Sequence, residues 1–532
     1  MNSSLISFLQ NPEAYPHGPE AVTHIQTHIS HVFLASPFVY KFKKSVDFGF
    51  LDYSTLDKRE KFCHREVELN RRLSDDIYLG VVSVLKEGDS FRISDEVLQS
   101  DSVVEYAVKM KQLPEEYFLH TYLEDGTLTN THLDRVADKL ADFYNNQQPD
   151  EQVLQYGKIA TIKVNTDENF EQTKAFTGQT IEDNTYRAVQ YFTNQYFDRR
   201  SELFERRIAQ KRIVDGHGDL HLEHIHITPD NVQIYDCIEF NDRFRYGDVA
   251  ADLAFLAMDL DFNNCWPEER YFIDQMADKL DDPDLLEIID FYKCYRAYVK
   301  GKVKSLQSGE EEVPQADREK ASQTAREYFE LSLRYALLGS KPIVLIFMGG
   351  VGTGKTTLAK HFEQKFNIDR FSSDRIRKSM AGVPLQERTP SEQRDKLYNR
   401  SMSEQTYQSL VEKMEECFKD GKSVILDATF SNKMAREKLV RRFRELEVNY
   451  LFVEAQAPEE VIKSRLKQRD QQDDIVSDAR LEDFELLKSR YSPPTEIADE
   501  NLISVQTDQA VEQTIRTLYF ELADRNITGG NN

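Results

Sequence analysis

The chain has 532 residues, 40% of them hydrophobic and 30% charged, and a formal net charge of −24. That is a globular composition, long enough for roughly three or four units of ~150 residues or fewer larger ones; its acidity opposes general binding to phosphate backbones. No apolar run approaches the ~20 residues that cross a bilayer, no secretory signal is expected at Met1 to Pro16, and five scattered cysteines without a Cys-x-x-Cys pair (Cys63, Cys237, Cys265, Cys294, Cys417) argue against a disulfide framework and fit a reducing cytoplasm.

In chain order, Ile29 to Leu34 and Phe38 to Phe42 read as a hairpin, Thr55 to Leu73 as a long helix, and Tyr78 to Leu85 and Ser102 to Met110 as further strands. Glu115 to Leu338 is mainly helical in pattern, broken by alternating short strands and loops from Ile213 to Phe240. Gln307 to Gln315 is a polar loop, and a helix follows from Ala316 to Leu338. Gly339-Ser340-Lys341-Pro342 punctuates the chain, and the domain boundary is expected there. Beyond it, apolar runs at Ile343–Met348, near Phe371, at Ser423–Leu426 and at Tyr450–Val453 each precede a helical segment. Nearly continuous apolar strands alternating with helices imply a parallel sheet covered on both faces. No internal repeat is present, and Asn526 to Asn532 reads as a frayed tail.

The most specific motif is Gly349-Gly350-Val351-Gly352-Thr353-Gly354-Lys355-Thr356, between a strand and a helix expected from Thr357 to Phe366. This is the context of a phosphate-binding P-loop. The glycines let backbone N–H groups turn toward phosphates, and the helix presents its positive end to the same anion. Lys355 would reach the β- and γ-phosphates of ATP, and the Thr356 hydroxyl would bind Mg²⁺. Asp427, at a strand end, is placed to support the metal. Asp374, after the strand near Phe371, is placed to accept a proton from an attacking hydroxyl; its bland alternative is a helix cap. Arg375 and Arg377 would steady an anionic acceptor or the γ-phosphate. Arg465 and Arg469 share a helix face before the polar stretch Asp470 to Asp478, which suits a lid; a solvated face is the plain alternative.

These residues resemble the small P-loop kinases that include polynucleotide kinase and the zeta toxins, over Pro342 to Leu522. The resemblance implies Asp374 as the base that activates an acceptor hydroxyl and Asp427 as the acidic residue after the third strand.

A second constellation is Asp215-Gly216-His217-Gly218-Asp219-Leu220-His221, followed by Val232 to Phe240 with Asp236. Two carboxylates brought together there would orient a hydroxyl and bind metal. The acidic residues of Gly247 to Ala254 are expected to brace loops and cap a helix. This stretch resembles the aminoglycoside phosphotransferase family, which has a protein-kinase-like fold, over Ile25 to Leu338. The resemblance implies Asp219 as base and Asp236 as metal ligand. It also places Lys41 on the α/β-phosphates with Glu66 as its partner. Lys43 lies on the same strand face as Lys41 and is an open alternative. One departure stands out. The family's metal-binding Asn, five residues after the catalytic Asp, is replaced by His224. Imidazole is a poor ligand for a hard cation, and Glu223 and Glu239 are candidate substitutes. His221 and His224 are read as loop and packing histidines rather than a zinc site.

The whole layout resembles a bacterial group that joins an aminoglycoside-phosphotransferase-like half to a P-loop kinase or ATPase half. The expectation is therefore an α+β kinase-like domain (1–338), a linker (339–342), an α/β P-loop domain with a mostly parallel sheet (343–525) and a tail (526–532). The expected activity is ATP- and Mg²⁺-dependent phosphorylation of a hydroxyl on a small-molecule acceptor. Alternatives are an ATP-binding regulator with a pseudokinase half, or an aminoglycoside-type antibiotic kinase. Neither a membrane partner nor general nucleic-acid binding is expected, and the oligomeric state is left open.

Overall fold

The structure is a computed structural model that describes residues 1–98, 100–385, 389, 394, 397–471 and 477–529. It divides into two compact units. The first comprises Met1–Val164 with Glu202–Lys293, the second Asn165–Ser201 with Cys294–Asn532.

The first unit is built on a six-stranded antiparallel sheet. Its strand order is Thr23–Gln26, Ser30–Ala35, Phe38–Lys43, Val103–Lys111, Tyr78–Glu87, Ser90–Ser94. The expected hairpin forms between the second and third of these, with Val32 opposite Lys41. Alternation along Phe38–Lys43 divides its side chains between the two faces. Tyr40 and Phe42 pack with Phe33 and Ala35 against Leu5 and Leu9 of the N-terminal helix. Val39 lies on the opposite side, in the cluster with Cys63 and Val67 of the helix Leu56–Asn70. Lys41 and Lys43, two and four residues along from Val39, face that same helix, which carries Glu66. Thr55 caps the helix by accepting a hydrogen bond from the Lys58 N–H. The flanking strands Thr23–Gln26 and Ser90–Ser94 escaped the sequence reading because they are short and largely exposed.

The remainder of this unit is mainly helical. Two short antiparallel pairs, Ile225–Ile227 with Val232–Ile234 and Ile213–Asp215 with Tyr246–Asp248, hold the loops of the second constellation. Beneath them runs the helix Val249–Phe262, which is apolar almost all round and buried over most of its length.

The second unit holds a five-stranded sheet. Its order is Asp369–Ser372, Val424–Asp427, Ile343–Met348, Asn449–Gln456, Leu502–Gln506, and each neighbouring pair is parallel. The central strand Ile343–Met348 is buried at every position, as a sheet covered on both faces requires. Val344, Ile346 and Met348 belong to a cluster with Leu410, Met414 and Phe443. On the other side, the Phe347 ring lies 5.3 Å from that of Phe362, which also meets Phe366 and Tyr519.

The division of the chain departs from the expected boundary at 339–342. The helices Asp183–Arg199 and Gln315–Leu338 pack in the second unit with the C-terminal helix Val511–Thr528. Tyr191 stacks on Phe520 at 4.6 Å and donates its hydroxyl proton to Asp524, while Arg516 pairs with Asp183 at 3.0 Å. Lys365, on the helix after the P-loop, pairs with both Glu182 and Glu330 at 3.0 Å. Helical periodicity alone does not say which core such a helix joins. The expected tail is also shorter: Asn526, Ile527 and Thr528 complete the last helix, and Ile527 is buried. Residues 530–532 of that tail lie outside the described residues.

Phe362, on the helix Lys355–Phe366 that follows the P-loop, is fully buried. Its replacement by Ala is expected to destabilise the second unit by about 3–5 kcal/mol, read as a lowered urea midpoint for that unit.

Candidate functional site

The P-loop site is assembled by strand register. Phe347 stands opposite Asp427 on one side and Ser372 stands opposite it on the other. The loop after Met348, the Asp427 carboxylate and Asp374 therefore leave the sheet at the same carboxyl edge, where α/β folds bind ligands. Gly349, Gly352 and Gly354 all have positive φ. At Gly349 the constraint is twofold, because a Cβ would also lie 2.4 Å from the Ala455 carbonyl oxygen. Gly350 and Val351 complete the turn, and the Gly350 carbonyl accepts from the Thr353 hydroxyl at 2.9 Å. The helix opens at Lys355 rather than Thr357, with Gly354 as its cap. Lys355 is half-buried, and Thr356 and Thr357 are exposed at its first turn.

Thr356 donates its hydroxyl proton to Asp427 Oδ1 at 3.1 Å. These are the two groups expected to share a magnesium ion, and both offer hard oxygen donors, so the residues fit that ion. Asp427 is buried. Burial pushes its pKa up, Lys355 and Arg370 pull it down, and the charge of Asp374 adds to the rise. Arg370 was not foreseen from the sequence. It bridges Asp427 Oδ2 at 3.0 Å and Glu363 of the P-loop helix at 2.7 Å.

Asp374 lies in the first turn of the helix Ser373–Met380, and its Oδ1 is 3.2 Å from Arg377 Nη1. The Arg377 guanidinium lies 4.7 Å over the Tyr398 ring. Tyr398 in turn donates to Asp478, which also accepts from the backbone and hydroxyl of Thr389. Arg375 is exposed. Arg465 does not project as a mobile lid residue: it donates to the Gly352 carbonyl at 3.3 Å, to the Thr507 hydroxyl at 3.0 Å and to the Thr507 carbonyl. It thus ties the P-loop to the end of the strand Leu502–Gln506. Burial lowers the Arg465 pKa, against Asp508 and with the like charge of Arg469 nearby. Of the expected lid stretch Asp470 to Asp478, residues 472–476 lie outside the described residues.

In the first unit, Glu66 is fully buried and is shared by both candidate lysines. Lys41 Nζ lies 2.9 Å from Oε1 and Lys43 Nζ 2.7 Å from Oε2. The two lysines are not equivalent. Lys43 is buried and is also paired with Glu239, which accepts a further bond from the Tyr53 hydroxyl at 2.5 Å. Lys41 keeps some exposure and reaches Asp236 Oδ1 at 2.5 Å. Lys41 is therefore the lysine that meets Asp236. Burial would lower its pKa, but Asp236 and Glu66 outweigh that and hold it well above the usual value. Glu239 is paired with Lys43 and Tyr53, and Glu223 is exposed.

Asp236 sits at φ 62°, a left-handed conformation rarely taken by a residue with a side chain. Its N–H donates to the Tyr78 hydroxyl at 3.1 Å, and the next N–H donates to Asn70 at 2.8 Å. The loop bearing Asp219 is held from beneath by Asp252, which accepts from the N–H groups of His217 (2.7 Å) and Gly218 (2.8 Å) and from the Tyr144 hydroxyl. Asp248 caps the same helix through the Ala250 N–H and pairs with buried Arg207. The bracing roles expected for these acids are met. The loop histidines are arranged differently from the expectation of packing alone: a ring nitrogen of His221, one of His224 and a carboxylate oxygen of Asp219 lie within 4.8 Å of one another. Burial, then the neighbouring His221, pushes the His224 pKa down to about 3, so its ring is neutral. An imidazole in the place of an amide oxygen does not fit magnesium at that position.

Fold and sites define a protein that joins a kinase-like α+β unit to a P-loop α/β unit. Residues 344–494 match the AAA domain family. Over 414 residues the chain is 30% identical to uncharacterized proteins of Mycobacterium tuberculosis and Mycobacterium bovis, covering 77% of this chain and 79% of theirs. The chain belongs to the same protein family as these mycobacterial proteins. Among solved structures, a choline kinase from Cryptosporidium parvum aligns at 11% identity and TM-score 0.39, covering 63% of this chain and 95% of that one. A gluconokinase from Sinorhizobium meliloti aligns at 15% identity and TM-score 0.26, covering 36% and 94%. Among the described residues no helix is long and apolar enough to cross a membrane.

Asp252 is the anchor of the Asp219 loop. Asp252→Ala leaves three buried donors unpaired, each worth roughly 1–3 kcal/mol. The expected result is a lower melting temperature and faster amide exchange at His217 and Gly218.

Proposed function

We propose that the protein is an ATP-dependent phosphotransferase acting on a hydroxyl of a small molecule, with its principal centre at the P-loop. The observation that carries this reading is the 3.1 Å contact between Thr356 and Asp427, at a strand edge that also bears Asp374. The loop amides and Lys355 hold the phosphates of ATP. Thr356 and Asp427 would hold magnesium, which would supply neutralising charge for those phosphates. Asp374 takes the proton of the acceptor hydroxyl as its oxygen attacks the γ-phosphorus and the bond to the β-phosphate breaks, leaving ADP. Arg377 orients Asp374 through their 3.2 Å pair. Arg465 holds the P-loop in shape, and Arg469, one turn along the helix, would stabilise developing negative charge. The match to the AAA domain family over 344–494 supports nucleotide use by this unit.

The first unit supports a second reading, a nucleotide-responsive unit that does not carry out ordinary magnesium-dependent transfer. The contacts of Lys41 with Glu66 and Asp236 support nucleotide binding there; in a transferring unit Asp219 would be the base and Asp236 the metal ligand. His224 favours the non-transferring reading.

Calorimetry of the full chain with ATP and magnesium is expected to register binding that Lys355→Ala weakens strongly. Phosphorus-31 profiling of a metabolite extract with ATP is expected to yield a phosphorylated product, and Asp374→Ala should slow its formation roughly 10²–10⁴-fold while ATP still binds. A product unchanged in Asp374→Ala would overturn the assignment of the base. If Asp219→Ala removes a separate product, the first unit is itself a transferase; if the profile is unchanged, it is not.

A further inference from the structure

We infer that Asp219, His221 and His224 form a binding site for a divalent transition metal in the first unit, with Asp236 beside it. Three candidate ligand groups lie close together, with His224 Nδ1 3.8 Å from Asp219 Oδ2. One ring nitrogen from each histidine and one oxygen of Asp219 lie within 4.8 Å of one another. His221 Nε2 is 3.4 Å from Asp219 Oδ2, and the two imidazole rings are 3.8 Å apart.

The orientation of His224 is fixed from behind. Its Nδ1 lies 2.9 Å from the Asp219 carbonyl oxygen. A carbonyl only accepts, so Nδ1 carries the proton and Nε2 keeps a lone pair. That lone pair lies 3.6 Å from Asp236 Oδ2, another electron-rich atom. Two such atoms held apart at this distance, with no donor between them, leave room for a cation bound to both. A ligating histidine whose other N–H is fixed by a carbonyl is the usual arrangement at metal centres. The neighbouring histidines are excluded as ligands. His217 has its Nε2 on the Tyr235 carbonyl and its Nδ1 accepting from the Asp219 N–H, and His226 Nε2 is on the Pro114 carbonyl.

The donor set decides which cation fits. Two imidazole nitrogens with carboxylate oxygens suit zinc, cobalt or iron(II), whereas magnesium prefers oxygen alone. Binding at Asp219 also occupies the oxygen that would otherwise receive a proton. The inference concerns the first unit and stands whether or not the P-loop centre transfers phosphate.

The test is titration of the full chain, stripped with chelator, with cobalt(II) alone. Visible ligand-field bands are expected to saturate at one ion per chain and to persist in excess magnesium. His224→Asn and His221→Ala should each weaken binding roughly tenfold or more, while His64→Ala, on an exposed helix face, leaves it unchanged. X-ray absorption of the cobalt-loaded wild type provides a reading that needs no variant, and is expected to show two imidazole ligands. Absence of the bands, their displacement by magnesium, their survival in both histidine variants, or fewer than two imidazoles would each overturn the site.

Discussion

Parallel register around Asp427 is the constraint from which the P-loop centre follows. Phe347 and Ser372 both stand opposite it, so one carboxylate at the end of one strand fixes where the phosphate loop and the Asp374 turn emerge. Burying a carboxylate is costly unless it is paired. Here the pairing is distributed: Arg370 takes one oxygen and the Thr356 hydroxyl the other. Arg370 is itself held by Glu363, which lies two turns along the helix that begins at Lys355. The helix after the P-loop thus positions the carboxylate at both of its ends. A shift of the helix along its axis would loosen Thr356 and Arg370 together.

The first unit reaches a comparable result by antiparallel alternation. Lys41 and Lys43 point to one face because they are two apart, and that face meets Glu66. One buried carboxylate thus has an ammonium group beside each of its oxygens, which a single lysine would not provide. Lys43 is then anchored on its far side by Glu239 and Tyr53, while Lys41 turns to Asp236. The cluster separates a structural lysine from a site lysine with the same residue type. The strained backbone at Asp236 is held by Tyr78 and Asn70. A conformation of that kind persists only where its surroundings over-determine it.

Much of this was legible in the sequence because local pattern carried it. The P-loop, the strand-end acids and the His217-Gly218-Asp219 loop are short motifs with fixed spacing, and the structure places them on the elements expected. Buried apolar runs gave the parallel strands. What could not be read depended on pairing between distant segments. Arg370 becomes a site residue only when the strand Asp369–Ser372 lies beside Val424–Asp427. Thr507 matters only because the strand Leu502–Gln506 ends beside the loop at Gly352. The helices Asp183–Arg199 and Gln315–Leu338 were assigned to the wrong unit because an amphipathic helix announces that it has a partner without saying which.

The two centres differ most in their donor atoms. Around Thr356 and Asp427 the available ligands are oxygens, and the nearby nitrogen groups, Lys355 and Arg370, are cations that repel metal. Around Asp219 the neighbouring side chains include the imidazoles of His221 and His224. Hard and borderline cations sort between such sites by ligand type rather than by cavity shape. One chain therefore presents an oxygen-lined centre at Thr356 and Asp427 and a nitrogen-bearing cluster at Asp219. The imidazole of His224, with its Nδ1 on the Asp219 carbonyl, is what divides them.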